Sequence, residues 1–369
     1  MTYDSRVLNY FEFLRFSLND TLSIPSSINN TDWDDLFTFG KEQAILGVLY
    51  HGIEKLSNSK YKPNRNIILK FYICYQSLLK ANKQAFKDAN YLTSLFKEKY
   101  NLNSCVLKGQ ANALMYPNPY LRVPGDIDLW VNTNAIDIIK IAKKYDPKAE
   151  IDYHHIQVNL TKTPIELHFF PSFMGNLFYE YRLRRYFNKY SEKQFNNRKE
   201  LPNNLGYINC LTKDFDLIFQ LSHLMHHFFF EGIGLRQMID YYYLLHKEFT
   251  EKEKKDSITL LKHLNMYKFA TAVMYIMKKI LGIEDRYLIT KPNERLGKIL
   301  EREIILGGNF GFYDKRFNFS GKSVYYQYFI EIYRNLHFAI DYPSETIFGR
   351  PISRWWHIIY KAWLRHQLK

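Results

Sequence analysis

The chain has 369 residues, of which 46% are hydrophobic and 24% charged, and this composition excludes an intrinsically disordered protein. Its net charge of +14 favours anionic partners such as nucleotides, nucleic acid or an acidic surface, although lysines dispersed over a surface give the same excess. No stretch reaches the roughly 18 apolar residues of a membrane span, and the N-terminal sequence lacks the pattern of a signal peptide.

The three cysteines, Cys74, Cys105 and Cys210, are odd in number and widely spaced. Such usage is typical of free thiols in a reducing compartment, and it argues against a disulfide framework or a zinc knuckle. We therefore expect a cytoplasmic protein without a transmembrane segment.

The first hundred residues have the apolar spacing of helices. Apolar side chains recur every three or four residues in the runs 8–18, 33–56 and 66–100, which is the period of a helix with one buried face. The second run follows a Thr-Asp pair that is suited to capping it. We predict an N-terminal helical region over residues 1–100.

Between residues 101 and 170 the apolar period changes to that of strands. Short β-type runs are separated by turn signals such as Tyr-Pro-Asn-Pro, and they occupy residues 104–108, 126–131, 151–160 and 164–170. They predict a small mixed sheet, which we place in a core domain over residues 101–190.

Helical spacing returns after Tyr207 and predicts a C-terminal helical domain over residues 205–369, with helical runs at 212–230, 236–248 and 258–282 and in two later segments. The polar stretch 191–204 is predicted to be a linker or an exposed loop. The predicted fold class is α+β, in which a small mixed-sheet core is flanked by N-terminal helices and a C-terminal helical domain.

The segment 106–131 carries the most informative functional pattern. An apolar strand leads into Lys108 and Gly109, and a short helix is predicted from Gln110 to about Tyr116. A glycine at a strand-to-helix junction lets a ligand approach the backbone, and a helix N-terminus offers N–H groups to phosphate. The junction therefore outlines a phosphate cradle, although an ordinary tight turn has the same sequence.

Three carboxylates follow this turn. Asp126 and Asp128 alternate with apolar residues and share one face of a strand, roughly 7 Å apart, while Glu166 and His168 share one face of a later strand. Carboxylates so placed repel each other unless cations lie between them, and two-metal phosphoryl-transfer sites use such sets. We predict Asp126, Asp128 and Glu166 as the catalytic residues that bind Mg²⁺ or, alternatively, Mn²⁺. Taken singly, each is also explained as an exposed strand residue.

This pattern resembles the DNA polymerase beta-like nucleotidyltransferase superfamily, in which a glycine turn precedes a short helix, an Asp-x-Asp strand and a third acidic residue. It is similar in particular to a family of uncharacterised bacterial nucleotidyltransferases, whose motif stands in this chain at Lys108-Gly109, Tyr116-Pro117, Arg122 and Gly125–Asp128. The similarity continues through Ile165–His168, the region from His223 to Asp240, and Gly307–Gly311.

The resemblance implies transfer of a nucleoside monophosphate from a nucleoside triphosphate (NTP) to an acceptor hydroxyl, with release of pyrophosphate. The acceptor is a small molecule, a sugar, a protein side chain or an RNA end. The alternative is a non-catalytic nucleotide-sensing or partner-binding module on the same fold. A nucleic-acid-binding protein would need clustered basic residues, and the only short cluster is Arg182, Arg184 and Arg185.

Nucleotide-binding residues are predicted around the glycine turn, namely Lys108, Gly109, Gln110 and Arg122. Arg122 binds phosphate through two nitrogens and Lys108 as a point charge, and the competing interpretation is an ion pair with Asp126 or Asp128. Gln110 stands where many superfamily members have a second Gly or a Ser, so its own contact with the triphosphate is in question.

Four further residues are predicted to bind substrate, namely His168, His223, Arg236 and Asp240. His168 shares the Glu166 face, and packing in the core competes with a functional role. His223 and His227 are four residues apart, a spacing seen in metal sites. Because the glutamate of the zinc-protease helix motif is missing, histidines bonded to neighbouring carboxylates are the favoured interpretation, with the cluster forming a wall of the substrate cleft.

The C-terminal segment from Ile352 combines tryptophans with basic residues, namely Trp355, Trp356, Trp363, Arg354, Lys361, Arg365 and Lys369. Such a helix lies on a membrane or binds nucleic acid in some proteins. We expect it to dock its aromatic side chains on the domain core.

Overall fold

The computed structural model describes residues 5–316 and 323–368. The remaining parts of the predicted helical regions, residues 1–4 and 317–322 together with Lys369, lie outside the described residues.

The N-terminal region is helical, as predicted, with α1 (Ser5–Leu18), α2 (Trp33–Glu42), α3 (Leu46–Lys55) and α4 (Arg65–Tyr100). The Asp32 side chain caps α2 by accepting hydrogen bonds from two backbone N–H groups. The run 33–56 is two helices, because Ala44 adopts a left-handed conformation with φ of 55° and so interrupts the helical backbone. Asn101 ends α4 in the same conformation, which asparagine tolerates well.

A mixed sheet of four strands follows, built from β1 (Ser104–Val106), β2 (Ile127–Val131), β3 (His155–Val158) and β4 (Ile165–His168). Their spatial order is β1, β2, β4, β3. Strands β2 and β4 are parallel, whereas β1 pairs with β2 and β3 pairs with β4 in antiparallel fashion. The crossover from β2 to β4 contains α6 (Ala135–Tyr145), while the glycine turn after β1 leads into α5 (Gln110–Ala113). Helix α5 is shorter than predicted.

The two faces of the sheet have different neighbours. Ile127, Leu129 and Val131 belong to a buried cluster with side chains of α4 and α6. Trp130 points to the other face and packs against Phe195 and Phe215, with ring centroids 4.6 and 6.0 Å away. The face that carries Asp128 therefore looks toward the C-terminal helices.

The polar stretch 191–204 is not a linker. It contains the end of α7 (Leu177–Phe195) and the strand β5 (Arg198–Glu200), which pairs with β6 (Tyr207–Asn209) in a hairpin. Asn209 donates a hydrogen bond of 2.9 Å to the carbonyl of Ser104 at the edge of the main sheet. Most side chains of the stretch are exposed, as its polar composition predicts. The composition does not predict the end of α7 or the strand β5.

The C-terminal region consists of α8 (Lys213–Phe230), α9 (Leu235–Leu245), α10 (Glu251–His263), α11 (Tyr267–Lys279), α12 (Glu294–Gly307), α13 (Val324–Asn335), α14 (Pro343–Thr346) and α15 (Arg350–His366). The predicted run 258–282 spans two helices, because Asn265 takes a left-handed conformation with φ of 57°. Among the described residues, no helix combines the length and the apolar character that crossing a bilayer requires.

Two hydrophobic clusters organise the described residues. One joins the helices α1 to α3 with α8, α9, α11 and α12, and the other surrounds the sheet. The N-terminal and C-terminal helices thus share a core, although they are far apart in sequence. The boundaries of the three predicted domains stay a prediction.

Helix α15 docks on the core through only part of its surface. His357 stacks on Tyr153 with centroids 3.6 Å apart, and Leu364 is fully buried. Trp356 donates a hydrogen bond of 3.1 Å to the Tyr153 hydroxyl. In contrast to the predicted docking, Trp355 remains 68% exposed and Trp363 47% exposed.

Candidate active site

Two of the predicted catalytic carboxylates are direct neighbours across strands. In the parallel pairing of β2 with β4, Asp128 is the register partner of Glu166, so both side chains leave the same face of the sheet. Asp128 is fully buried and Glu166 is half-buried. Asp126 stands one residue before β2 and is also half-buried, at the rim of the same face.

Two cationic side chains contact this pair. Lys108 Nζ lies 3.1 Å from Asp128 Oδ1, and His168 Nε2 lies 3.1 Å from the same oxygen and 3.4 Å from Glu166 Oε2. Within the described residues, ligand atoms of Asp128, Glu166 and His168 lie within 4.8 Å of one another. The other oxygen of Asp128, Oδ2, is buried without a hydrogen-bond partner among these residues.

The carboxylates shift the pKa values of their neighbours. Burial alone would lower the pKa of Lys108, but Asp128, Asp126 and Glu166 together raise it. Burial likewise lowers the pKa of His168, whereas the hydrogen bonds to Asp128 and Glu166 raise it to about 9. For Glu166, burial raises the pKa, but the hydrogen bond from His168 and the charge of His155 bring it below its ordinary value. Glu166 is therefore ionised at neutral pH.

The predicted glycine turn lies beside the carboxylates. Gly109 has φ of 63° and ψ of −105°, a conformation that glycine adopts at little cost and other residues avoid. A Cβ atom there would lie 3.2 Å from the carbonyl oxygen of Asp126. The Gln110 side chain is buried, and its Oε1 has no hydrogen-bond partner in the described part of the chain.

Arg122 pairs with Asp240 and not with Asp126 or Asp128. Its Nε and Nη2 each donate a hydrogen bond of 2.8 Å to the Asp240 carboxylate, and Nη1 donates to the carbonyl of Val123. Tyr116 and Asn112 donate to the same carboxylate at 2.8 and 3.1 Å. All of these side chains are buried. Arg122 therefore connects the segment between β1 and β2 to α9.

Arg236 has fewer partners than Arg122. Its Nη1 donates a long hydrogen bond of 3.4 Å to the carbonyl of Val123, and its Nε is buried without a partner among the described residues. Burial and the adjacent charge of Arg122 lower the pKa of Arg236 to about 10. The guanidinium stands 5.2 Å from the Phe310 ring and close to Gly125. Its guanidinium is thus buried with fewer hydrogen bonds than that of Arg122.

Two histidines of α8, His223 and His227, form a hydrogen-bonded pair. The Nε2 atoms of His223 and His227 lie 3.0 Å apart, and His227 Nδ1 lies 2.9 Å from Glu231 Oε2. Burial and the charge of Lys108 hold the pKa of His223 well below its ordinary value.

A cleft brings together eight of the predicted residues, which are Lys108, Gly109, Arg122, Asp126, Asp128, His223, Arg236 and Asp240. Glu166 and Asp126 line an adjoining cavity on the β3 side. His168 lies beneath both, in contact with Asp128 and Glu166. Gln110 is not among the residues that line the cleft.

Several residues around this site escaped the sequence analysis. His154 and His155 lie at the start of β3, where one nitrogen from each and one from His168 are within 4.8 Å of one another. The His-His doublet was a visible signal, but its meaning depends on the antiparallel pairing of β3 with β4. Phe310 also lines the cleft, from the glycine-rich segment near residue 308.

Comparison with known proteins identifies the family. The model of a family described as uncharacterised nucleotidyltransferase matches residues 29–282. The chain belongs to this family. The matched range includes the whole sheet and extends from α2 to α11.

A comparison with curated proteins finds no match. Among solved structures, the chain is similar to the crystal structure of an antigenic nucleotidyltransferase-like protein from Paracoccidioides brasiliensis. The two share 13% sequence identity over 48% of this chain and 88% of that one, with a TM-score of 0.32.

Proposed function

We propose that this nucleotidyltransferase family member transfers a nucleoside monophosphate from an NTP to an acceptor hydroxyl and releases pyrophosphate. The observation that carries the proposal is the direct pairing of Asp128 with Glu166 across β2 and β4, with Asp126 beside them and the Gly109 turn adjacent. Carboxylates in this arrangement suit the divalent ions that accompany phosphoryl transfer.

The residues present fit a divalent cation. Asp126, Asp128 and Glu166 bring three negative charges. All three carboxylates raise the pKa of the neighbouring Lys108. Asp128 Oδ2 is a buried oxygen to which no described residue donates. These carboxylates would hold Mg²⁺ or Mn²⁺, which supplies neutralisation of phosphate charge and a lower pKa for the attacking hydroxyl.

Gly109, Lys108 and Arg236 are proposed to contact the triphosphate. Gly109 lacks the Cβ that would crowd the backbone, and Lys108 presents its ammonium group in the cleft. Of the two buried arginines, Arg236 is the better phosphate ligand because its Nε has no partner in the described structure, whereas Asp240 occupies Arg122. We therefore assign to Arg236 the phosphate contact that the sequence suggests for Arg122.

The reaction balances as a single displacement. The acceptor oxygen attacks the α-phosphorus and forms a new P–O bond, while the bond from the α-phosphorus to the α,β-bridging oxygen breaks and its electron pair leaves with pyrophosphate. Glu166, ionised and half-buried, accepts the proton of the acceptor hydroxyl. Lys108 keeps its charge throughout and offsets the negative charge of the site.

The second wall of the cleft is proposed to select the acceptor. It is formed by α8 and α9, which contribute Leu224, Gln237 and the half-buried His223. A small sheet alone does not enclose two substrates, and a second wall is needed to bury most of a ligand's surface. The acceptor is a small molecule, a sugar, a protein side chain or an RNA end.

The proposal is tested by incubating the purified chain with Mg²⁺ or Mn²⁺, each α-³²P-labelled NTP in turn, and a cell extract. Transfer predicts that label enters an acceptor and that pyrophosphate appears in equal amount. The Asp128→Asn variant is the matched control and should label nothing. NTP binding without any transfer would overturn the proposal in favour of a nucleotide-sensing module, and equal labelling by the variant would overturn the assigned site.

A further inference from the structure

Three histidines next to the carboxylates make a second kind of site. We infer that His154, His155 and His168 bind a divalent first-row transition metal ion, of the Zn²⁺ or Co²⁺ class, at the β3–β4 edge of the sheet. This ion is distinct from the Mg²⁺ or Mn²⁺ proposed for Asp126, Asp128 and Glu166.

The fold brings the three imidazoles together from two strands. His155 and His168 are direct register partners in the antiparallel β3–β4 pair. His154 lies in a bend just before β3. Its side chain therefore need not point to the face opposite to that of His155, as it would in a regular strand. Its ring centroid lies 4.5 Å from that of His155 and 5.0 Å from that of His168. The rings therefore surround a common point.

The nitrogen separations suit one ion. A nitrogen atom from each histidine lies within 4.8 Å of the other two. Two nitrogens on a tetrahedral ion with bond lengths of about 2.0 to 2.1 Å are roughly 3.3 Å apart, so the separations are within about 1.5 Å of those in a formed site. Small rotations of the side chains supply a difference of this size.

Three of the six ring nitrogens also lack a hydrogen-bond partner among the described residues, whereas His155 Nδ1 and His154 Nε2 lie 3.3 Å apart and form a hydrogen bond. His154 Nδ1, His155 Nε2 and His168 Nδ1 are each buried with no hydrogen bond within residues 5–316 and 323–368. A buried polar atom without a partner costs about 1 to 3 kcal/mol, and three such atoms in one cluster are rare in a packed protein. A metal ion that takes these nitrogens as ligands, with release of the second proton of His168, removes the cost.

The residues around the three histidines are of the kinds found around metal-bound histidines. His168 Nε2 faces Asp128 Oδ1 at 3.1 Å, and a ligand histidine in metal proteins usually donates its second N–H to a carboxylate. Glu166 Oε1 lies 3.5 Å from His155 Nε2 and places a second carboxylate beside the histidines. Phe173, with its ring centroid 4.8 Å from that of His154, supplies an apolar wall.

The ligand atoms decide the class of ion. Imidazole nitrogen favours Zn²⁺, Co²⁺, Ni²⁺ and Cu²⁺, whereas Mg²⁺ prefers oxygen ligands in octahedral geometry and gives up its water reluctantly. Three nitrogen ligands therefore select against Mg²⁺.

The test uses the full chain, stripped with a chelator and titrated with Co²⁺ in the absence of nucleotide. We expect one equivalent to bind with the visible absorption bands of nitrogen-ligated Co²⁺, to be displaced by Zn²⁺, and to persist in excess Mg²⁺. His154→Asn and His155→Asn should each weaken Co²⁺ binding at least about 10-fold. The control is His246→Asn, at a half-buried histidine that follows α9 and is hydrogen-bonded to the Tyr242 carbonyl. This variant should bind Co²⁺ as the parent does.

Binding that Mg²⁺ displaces at similar concentration, or Co²⁺ affinity that both variants retain, would overturn the inference. A rise in melting temperature with Zn²⁺ but not with Mg²⁺ gives a second readout on the unmodified chain, in case a variant fails to fold. Absence of a Zn²⁺ effect with intact Mg²⁺-dependent nucleotide transfer removes the histidine site alone. Histidine-dependent Zn²⁺ binding without any transfer removes the proposed reaction alone.

Discussion

Arg122 and Asp240 form a buried ion pair with two parallel hydrogen bonds of 2.8 Å each, although 118 residues separate them in the chain. Removal of one partner leaves a buried charge without compensation, which typically costs about 3 to 5 kcal/mol. We expect Asp240→Asn to lower the free energy of unfolding, measured with urea, by about that amount. Glu294→Gln, which breaks an exposed ion pair with Lys298, should leave it nearly unchanged, and equal losses would contradict the structural role of the buried pair.

The catalytic assignment predicts that Asp128→Asn greatly lowers activity while the chain still folds. The substitution keeps the side chain's shape, and Glu166 remains as a carboxylate partner for Lys108 and His168, so the chain should still fold, with a lowered melting temperature. Transfer of nucleotide should fall by at least about 100-fold, because a ligand of the proposed ion is lost. Rate assays with labelled NTP measure this, with the exposed Asp256→Asn as a variant that keeps full activity. Full activity in Asp128→Asn would refute the assignment.

The phosphate cradle proposed at the strand-to-helix junction predicts a specific role for Gly109. Gly109→Ala should lower stability by about 1 to 3 kcal/mol, because alanine is strained at φ of 63° and ψ of −105°. The matched control is Gly282→Ala, at φ of 71° and packed against the flexible Arg15 side chain. Calorimetry with NTP and Mg²⁺ should show weakened binding in the first variant only. If both variants bind equally well, Gly109 is an ordinary turn residue.

Arg236 is expected to recognise phosphate charge. Arg236→Gln should weaken NTP binding about 10-fold, the loss of one charge-assisted hydrogen bond, and should leave the binding of the uncharged nucleoside unchanged. Arg198→Gln, at a surface arginine stacked on Tyr207, controls for the loss of net charge. If the binding of nucleoside and of NTP is weakened equally, Arg236 shapes the cleft and does not recognise phosphate charge.

The pH dependence of stability should contain a component from Asp216 in α8. Burial raises the pKa of this carboxyl group from 3.8 to about 7 in the folded protein. Between about pH 4 and 7 the unfolded chain releases this proton while the folded chain keeps it, so stability falls as pH rises through this range. Asp216→Asn should remove that decline and should be more stable than the parent at pH 8. Urea unfolding at pH 5 and pH 8 measures the effect, and parallel profiles for the two proteins would contradict it.

Local patterns predicted the central strands well. The alternation of Asp126, Asp128 and their apolar neighbours identified β2, and the similar pattern around Glu166 identified β4. The strand itself begins at Ile127, so Asp126 lies just outside it. The boundaries of helices were less predictable, because single residues such as Ala44 and Asn265 break a continuous apolar pattern by adopting left-handed backbone conformations.

Contacts between distant segments could not be predicted from the sequence. Arg122 had a plausible local partner in Asp126 or Asp128, and only the packing of α9 against the β1–β2 segment reveals Asp240 instead. The imidazoles of His154 and His168 meet through the β3–β4 register, which no local pattern encodes. Pairings of this kind depend on the tertiary fold.

The Asp240 carboxylate accepts hydrogen bonds from Asn112, Tyr116 and Arg122, so the two walls of the cleft are joined to each other through residues of its lining. A hinge motion that opened the cleft between α9 and the β1–β2 segment would have to break a buried ion pair. The walls therefore move together as a rigid unit, and a ligand meets a preformed shape. Association should then follow a single exponential whose rate rises linearly with ligand concentration, without the plateau that a closing step produces.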